Sequence, residues 1–400
     1  MKEILSIQTV VIVSLFAVLL AADAFLVDRM SYAEAGTIGL NTTSFQDVAE
    51  RLTDLAEKKG AAYAFEVLKR ADLPPNLDLH LLGHEVGNIL YKQRGISGIT
   101  DCTQDFRNSC SHSIVIGALN EFNASDETFR LIDEACHEAP GGTGAYTMCY
   151  HGLGHGVFAY VGYDLESTLV LCKKMGTPEY HNEQYTQCVG GAVMELMGGG
   201  GHDQKKWLAA REKYLPSDRP LAPCDSGVIP DSAKAFCYIY LTPRLLEFAG
   251  VQLASPSPAT FSQAFSFCDA IPASEQYSRN SCFGGFGKEF IPLVGVRDVR
   301  KVDQFSDGQY ALAIYWCLLA EADDGKKACI EEALESVFWG GETDPRASFR
   351  FCSVVPAEFA DSCFYRLGEV IGRYFEGEER SAWCDNLKPV FRDSCRGKIL

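Results

Sequence analysis

The chain holds 16 cysteines and yet no CxxC pair, so neither a zinc ribbon nor a redox dithiol is written into it. HExxH is missing, which removes the familiar zinc-protease helix, and no CxxCH marks covalent haem attachment. No GxSxG, P-loop or dinucleotide-binding glycine pattern follows a strand, and GGTG at 141–144 falls inside a cysteine-bounded loop. Period-two alternation is lacking over any useful window, so no sheet is expected. Cations are scarce, with 36 Lys and Arg against 53 Asp and Glu, a net charge of −17 and a pI near 4.9. Phosphate backbones and anionic headgroups need clustered Lys and Arg, so nucleic acid and acidic lipid surfaces are not the partners. An acidic surface serves solubility first, and after that a cationic partner or a metal.

The cysteines that are present fall into eight consecutive close pairs: Cys102/Cys110, Cys136/Cys149, Cys172/Cys188, Cys224/Cys237, Cys268/Cys282, Cys317/Cys329, Cys352/Cys363 and Cys384/Cys395. The even tally and offsets of 8–16 residues predict one local disulfide per structural unit. Such a framework needs an oxidising compartment, secreted, periplasmic or at the cell surface. The plainer alternative, reduced buried thiols in a cytosolic protein, would scatter the cysteines instead. Residues 1–29 agree with that address. The run IQTVVIVSLFAVLLAADAFLV between Lys2 and Asp28 is apolar apart from Gln8 and Asp23, which suits a segment entering or crossing a bilayer. Cleavage at Ala22-Asp23-Ala24 would make it a removable signal peptide; retention would make it a single-pass membrane anchor.

Residues 30–400, with 47% hydrophobic composition, can bury ample core, so the disulfides are not rescuing an undersized domain. The second cysteines recur every 32 to 49 residues, the length of a helix-hairpin repeat. Helix starts precede the first cysteines: Ser125-Asp126, Asp164, Ser257-Pro258, Asp303 and Asp344-Pro345 supply the Ser or Asp cap, some with Pro in the first turn. Each second cysteine is expected to open a second helix, as in CYHGLGHGVFAYV and CFYRLGEVIGRYF, so that each disulfide joins the end of one helix to the start of the next. The expected fold is therefore all-α, helix hairpins forming an α-solenoid or a closed α/α array. Residues 44–72 form a cysteine-free helical cap, 76–200 a histidine-rich half, 198–223 a possible break with Gly198–Gly201 and Pro216–Pro223, and 224–400 the C-terminal repeats. Glycine recurs inside the second helices at Gly83, Gly154, Gly287 and Gly368. It costs up to about 1 kcal/mol relative to alanine there, so close helix packing, or backbone approach to a ligand, must require it.

Histidine carries the sharpest pattern. His112 and His151 lie two residues after Cys110 and Cys149, His155 six after Cys149, and His80 and His84 fill the same two slots if Asp78 stands in for a cysteine. Residues four apart share a helix face, so His80/His84 and His151/His155 can each aim two imidazoles at one centre, with His112 between them. Imidazole suits Zn, Fe, Cu or Ni, whereas calcium and magnesium want oxygen cages. Bis-histidine haem, held non-covalently, is a weaker reading. Glu85 beside His84 is a candidate ligand or proton acceptor, and hence the candidate catalytic residue. The corresponding slots further on hold Gly190/Met194, Ile239/Pro243, Gly284/Lys288, Glu331/Glu335 and Tyr365/Glu369, so there is no second histidine cluster. Glu195 and Glu289 also follow a second slot and extend a polar groove or a solvated face. His137, His181 and His202 read as bystanders. Asn41 and Asn123 match the N-glycosylation sequon.

Two functions compete. One is an extracytoplasmic protein with a five-histidine transition-metal centre, working as a metalloenzyme or only as a metal binder. The other is a scaffold whose groove takes a protein or polymer, with no metal and the histidines packed or stacked for structure; across the two readings the partner is a protein or a small molecule.

Overall fold

The computed structural model describes residues 31–40, 44–75, 77–103, 105–175, 183–198, 203–252, 255–340 and 344–397. Among these, every regular element is helical and no strand occurs. The expected signal peptide or anchor at 1–29 lies outside the described residues, as does Asn41; no described helix is long and apolar enough to cross a membrane. Asn123 is exposed.

Local chemistry sets most helix starts. The side chains of Asp78, Ser125, Asp164 and Asp344 accept from backbone N–H groups in the first turns of Leu79–Arg94, Asp126–Glu138, Leu165–Cys172 and Pro345–Val354. Ser257 precedes the helix Pro258–Asp269, with Pro258 in its first turn. Asp303, the expected start of the next helix, instead lies in a 3-10 turn, Val299–Gln304. The true cap is Ser306, whose side chain and that of Gln309 satisfy each other's backbone N–H in a capping box.

The eight expected disulfides all form: Cys102–Cys110, Cys136–Cys149, Cys172–Cys188, Cys224–Cys237, Cys268–Cys282, Cys317–Cys329, Cys352–Cys363 and Cys384–Cys395. Their Cα atoms stand 5.4–5.8 Å apart, and no cysteine is free. The expectation that each second cysteine opens its helix needs correcting. Cys149 and Cys363 lie well inside Gly142–Tyr160 and Ala357–Tyr374. Cys237 is the fourth residue of Lys234–Tyr240, and Cys282 the seventh of Gln276–Val294. Cys395 departs furthest, because it is the last residue of Pro389–Cys395 and no helix follows it among the described residues. The reason is that turns, not cysteines, start these helices. The 3-10 turns Asp231–Ala233 and Ala273–Glu275 lead into the helices of Cys237 and Cys282, and Pro389 sits in the first turn of the helix that Cys395 ends. Gly141 and Gly142, both at positive φ, make the entry before Cys149. A disulfide instead marks where two helices come close, and that point falls wherever their buried faces meet.

Each of the first seven disulfides pins a shorter helix or turn to a longer helix. The longer partners are Asp105–Phe122, Gly142–Tyr160, Glu183–Gly198, Lys234–Tyr240, Gln276–Val294, Asp323–Gly340 and Ala357–Tyr374. Together with Leu79–Arg94 they pack in chain order, each on the next. Contacts also run from late to early elements. Ala357–Tyr374 touches Gly142–Tyr160, and Asp323–Gly340 touches Asp105–Phe122. Arg300, itself held by Asp298, donates to the carbonyls of Leu68 and Ala71 at 2.7 and 2.8 Å. Within the suspected break, Gln204–Tyr214 is a helix packed on Glu183–Gly198.

Packing, not ligand approach, accounts for the helix glycines at 83, 154 and 287. A Cβ on Gly154 would stand 2.0 Å from the Cys188 carbonyl oxygen, one on Gly287 1.9 Å from that of Cys329, and one on Gly83 2.0 Å from Ser109 Oγ. Gly368 is looser, at 3.4 Å from its nearest neighbours. Overpacking of this kind costs about 1–3 kcal/mol, so Gly154→Ala lowers the melting temperature by several degrees. Gly36→Ala is the control, because nothing lies within 4 Å of a Cβ there. Equal melting of the two variants would show that the helices can separate freely.

Candidate metal centre

The five histidines of the register converge. His80 and His84 come from Leu79–Arg94, His112 from Asp105–Phe122, and His151 and His155 from Gly142–Tyr160. Ring centroids stand 4.6 Å apart for His80/His84, 5.4 Å for His80/His112, 5.6 Å for His84/His112 and for His112/His151, 5.8 Å for His112/His155 and 5.0 Å for His151/His155. His112, His151 and His155 are buried. Close helix approach makes this possible: Gly152 lies against the His112 ring, where a Cβ would come within 2.4 Å of Cδ2.

Hydrogen bonds orient three of the rings. His80 Nδ1 donates to the Phe106 carbonyl at 2.7 Å, and His155 Nδ1 to the Glu195 carboxylate at 3.0 Å. Ser113 donates its hydroxyl proton to the His84 carbonyl, so its Oγ accepts from His84 Nδ1 at 3.0 Å. His80 and His155 therefore carry a proton on Nδ1 and turn Nε2 toward the centre. The Nε2 atoms of His80 and His84 face each other at 3.1 Å. His155 Nε2 lies 3.3 Å from His151 Nε2, which is also 3.4 Å from Met194 Sδ. Among the described residues, neither ring nitrogen of His112 has a hydrogen-bond partner, nor has His151 Nδ1. Stranding buried imidazole nitrogens is costly unless something else satisfies them.

Burial keeps three of the imidazoles, His80, His112 and His151, neutral. Burial drives His80 down to about 4, against the opposing pull of Asp78 and the Phe106 carbonyl. Burial, then the neighbouring imidazoles, holds His112 and His151 well below the ordinary histidine value. Neutral imidazoles with inward lone pairs are what a transition metal requires. At a metal–nitrogen distance of 2.0–2.1 Å, two ligands of one ion stand about 3.0–3.4 Å apart, the range of the His80/His84 and His151/His155 pairs. His80, His112 and His155 each also offer an atom within 4.8 Å of the other two.

The centre forms part of the wall of a cavity of about 540 Å³, to which His80, His112 and His151 contribute. The slots beyond the histidines face it too: Met194, Ile239, Lys288, Glu331 and Glu335 are in its wall. On the far side, burial and then the Glu335 carboxylate push Glu332 up to about 8, while Arg366 pulls it down. Glu85 is exposed, one position off the histidine face, and is neither in the cavity wall nor bonded to a ring. The carboxylate that reaches an imidazole is Glu195, buried on the adjacent helix. Its position one past a second slot was its only mark in the sequence. Arg107, which also faces the cavity, left no such mark. His137 is exposed and stacks on Tyr146, while His181 and His202 lie outside the described residues. Comparison with protein-family models, curated proteins and solved structures finds no match to this chain.

Proposed function

We propose that the chain is an extracytoplasmic metalloprotein whose five-histidine centre holds a transition metal and serves a small molecule bound in the adjoining cavity. The observation that carries it is the convergence of five imidazoles from three helices, in which His80, His112 and His155 each offer a ligand atom within 4.8 Å of the other two. Packed structural histidines would bond their ring nitrogens, whereas both nitrogens of the buried His112 are without a hydrogen-bond partner among the described residues. The His155–Glu195 contact is a carboxylate–histidine support of the kind that orients metal ligands. Zn, Fe and Cu all fit this donor set. Haem fits it less well, because axial imidazoles must lie on opposite sides of a plate. The eight disulfides support the location, and consecutive packing of the longer helices supports reading them as hairpin repeats closed into an α/α array. A cavity walled by helices suits a small molecule better than a polymer or protein partner, and so disfavours the scaffold reading.

Elemental analysis of protein purified from an oxidising compartment is the test. Stoichiometric transition metal is expected, lost in the His84→Ala and His151→Ala double variant while its melting stays cooperative. Wild-type protein that stays metal-free after exposure to Zn, Fe and Cu salts would overturn the proposal.

A further inference from the structure

Three consecutive residues at the start of Asp105–Phe122, namely Phe106, Arg107 and Asn108, adopt φ values of 53°, 58° and 62°. L-residues seldom enter this left-handed region, and a run of three is a strained turn held by its surroundings. The turn does two things at once. It aims the Phe106 carbonyl at His80 Nδ1, and it sends the Arg107 side chain into the wall of the same cavity. There Arg107 Nη2 donates to Ser336 Oγ at 3.1 Å, and Ser336 in turn donates to the Lys288 carbonyl at 3.0 Å, so the guanidinium is anchored from across the cavity. Its Nε is buried with no hydrogen-bond partner, and among the described residues no carboxylate lies within 4.0 Å.

The other charges around the cavity are largely spoken for. Glu335 pairs with Arg366, which also bonds Glu369 at 2.8 Å; Glu331 pairs with Lys327 at 3.7 Å and Asp324 with Arg279 at 3.4 Å. The acids nearest Arg107 are committed elsewhere, Glu289 to Lys288 at 2.6 Å and Asp78 to Arg297 at 3.4 Å. Arg107 is thus a forked cation short of an anion beside the histidine centre, and Arg373, elsewhere in the wall, is a second guanidinium without an ion pair among the described residues.

We propose that Arg107 binds the anionic group of the molecule held in the cavity, a carboxylate or a phosphate, and so places the rest of that molecule against the histidines. Arginine is the side chain for this task because its planar donors match either oxyanion in a two-point contact. The proposal rests on the reading of the histidines as the working centre, but its assay does not. Metal-free full-length protein, stripped with a chelator, is titrated by calorimetry with inorganic phosphate and separately with acetate. Saturable binding of one of them is expected, phosphate pointing to a phosphorylated substrate and acetate to a carboxylic acid. Arg107→Gln should weaken it by at least about tenfold, and Glu85→Gln should leave it unchanged. If Arg107→Gln does not fold, Arg107→Lys and Ser336→Ala carry the test, because each disturbs the fork while keeping the positive charge. Absence of saturable binding by either anion, or folded variants at 107 that bind as tightly as wild type, overturns the proposal. Metal content is measured on separate, unstripped samples, so failure of the metal reading and failure of the anion reading are different results.

Discussion

Full reduction unfolds this protein at temperatures where the oxidised form stays helical. In the chain-entropy picture, closing a loop of 8–16 residues, the range of these eight disulfides, contributes about 2.5–3 kcal/mol. The loops follow one another along the chain and none encloses another, so each constrains its own stretch of unfolded polypeptide and the contributions add. Their sum is about 20 kcal/mol, more than the roughly 5–15 kcal/mol by which folded domains usually exceed their unfolded states. Circular dichroism in strong reductant against an oxidised control reads the effect directly. Cooperative melting of the fully reduced chain within a few degrees of the oxidised one would mean that the helices carry the fold and the disulfides decorate it.

Metal affinity falls about 10–100-fold in Glu195→Gln, the usual consequence of removing the carboxylate behind a liganding imidazole. The carboxylate accepts from His155 Nδ1 at 3.0 Å, fixing the tautomer and raising the basicity of the inward Nε2. An amide in its place can offer an N–H toward Nδ1, which moves the imidazole proton to Nε2 and blocks ligation. Glu85→Gln makes the same chemical change on an exposed site and leaves affinity unaltered. Competition titration with a chromophoric chelator measures both. Equal affinities in the two variants would take Glu195 out of the centre; loss only in Glu85→Gln would restore Glu85, the carboxylate beside His84 in the sequence.

How much of this was legible from residues alone depends on the range of the interaction. Caps act within one turn, so Ser125, Asp164 and Asp344 could be read directly, and Asp78, read only as standing in for a cysteine in the register, is a helix cap as well. Asp303 misled because it is a plausible cap standing near a better one, the Ser306/Gln309 box. The cysteine pairing and the histidine register were visible because both repeat, and repetition exposes which side of a helix faces inward. Repetition does not expose where a helix begins, which is why Cys237, Cys282 and Cys395 pair as expected yet sit at different depths in their helices. Glu85 and Glu195 could not be told apart, since both sit one residue past a second slot. Only the neighbouring helix decides which one meets a ring. The turn at 106–108 was invisible for a stronger reason: of Phe-Arg-Asn only Asn108 is at home in the left-handed region, and tertiary contacts impose it on Phe106 and Arg107.

The five imidazoles all belong to residues 80–155, whereas Lys288, Glu335 and Tyr374 on the facing wall arrive more than a hundred positions later. A chain growing from its amino end therefore presents its nitrogen donors while they are still in open solution, before the roof over them has been synthesised. The donor set is thus contiguous in sequence, while the opposite side of the cavity depends on the return of distant helices.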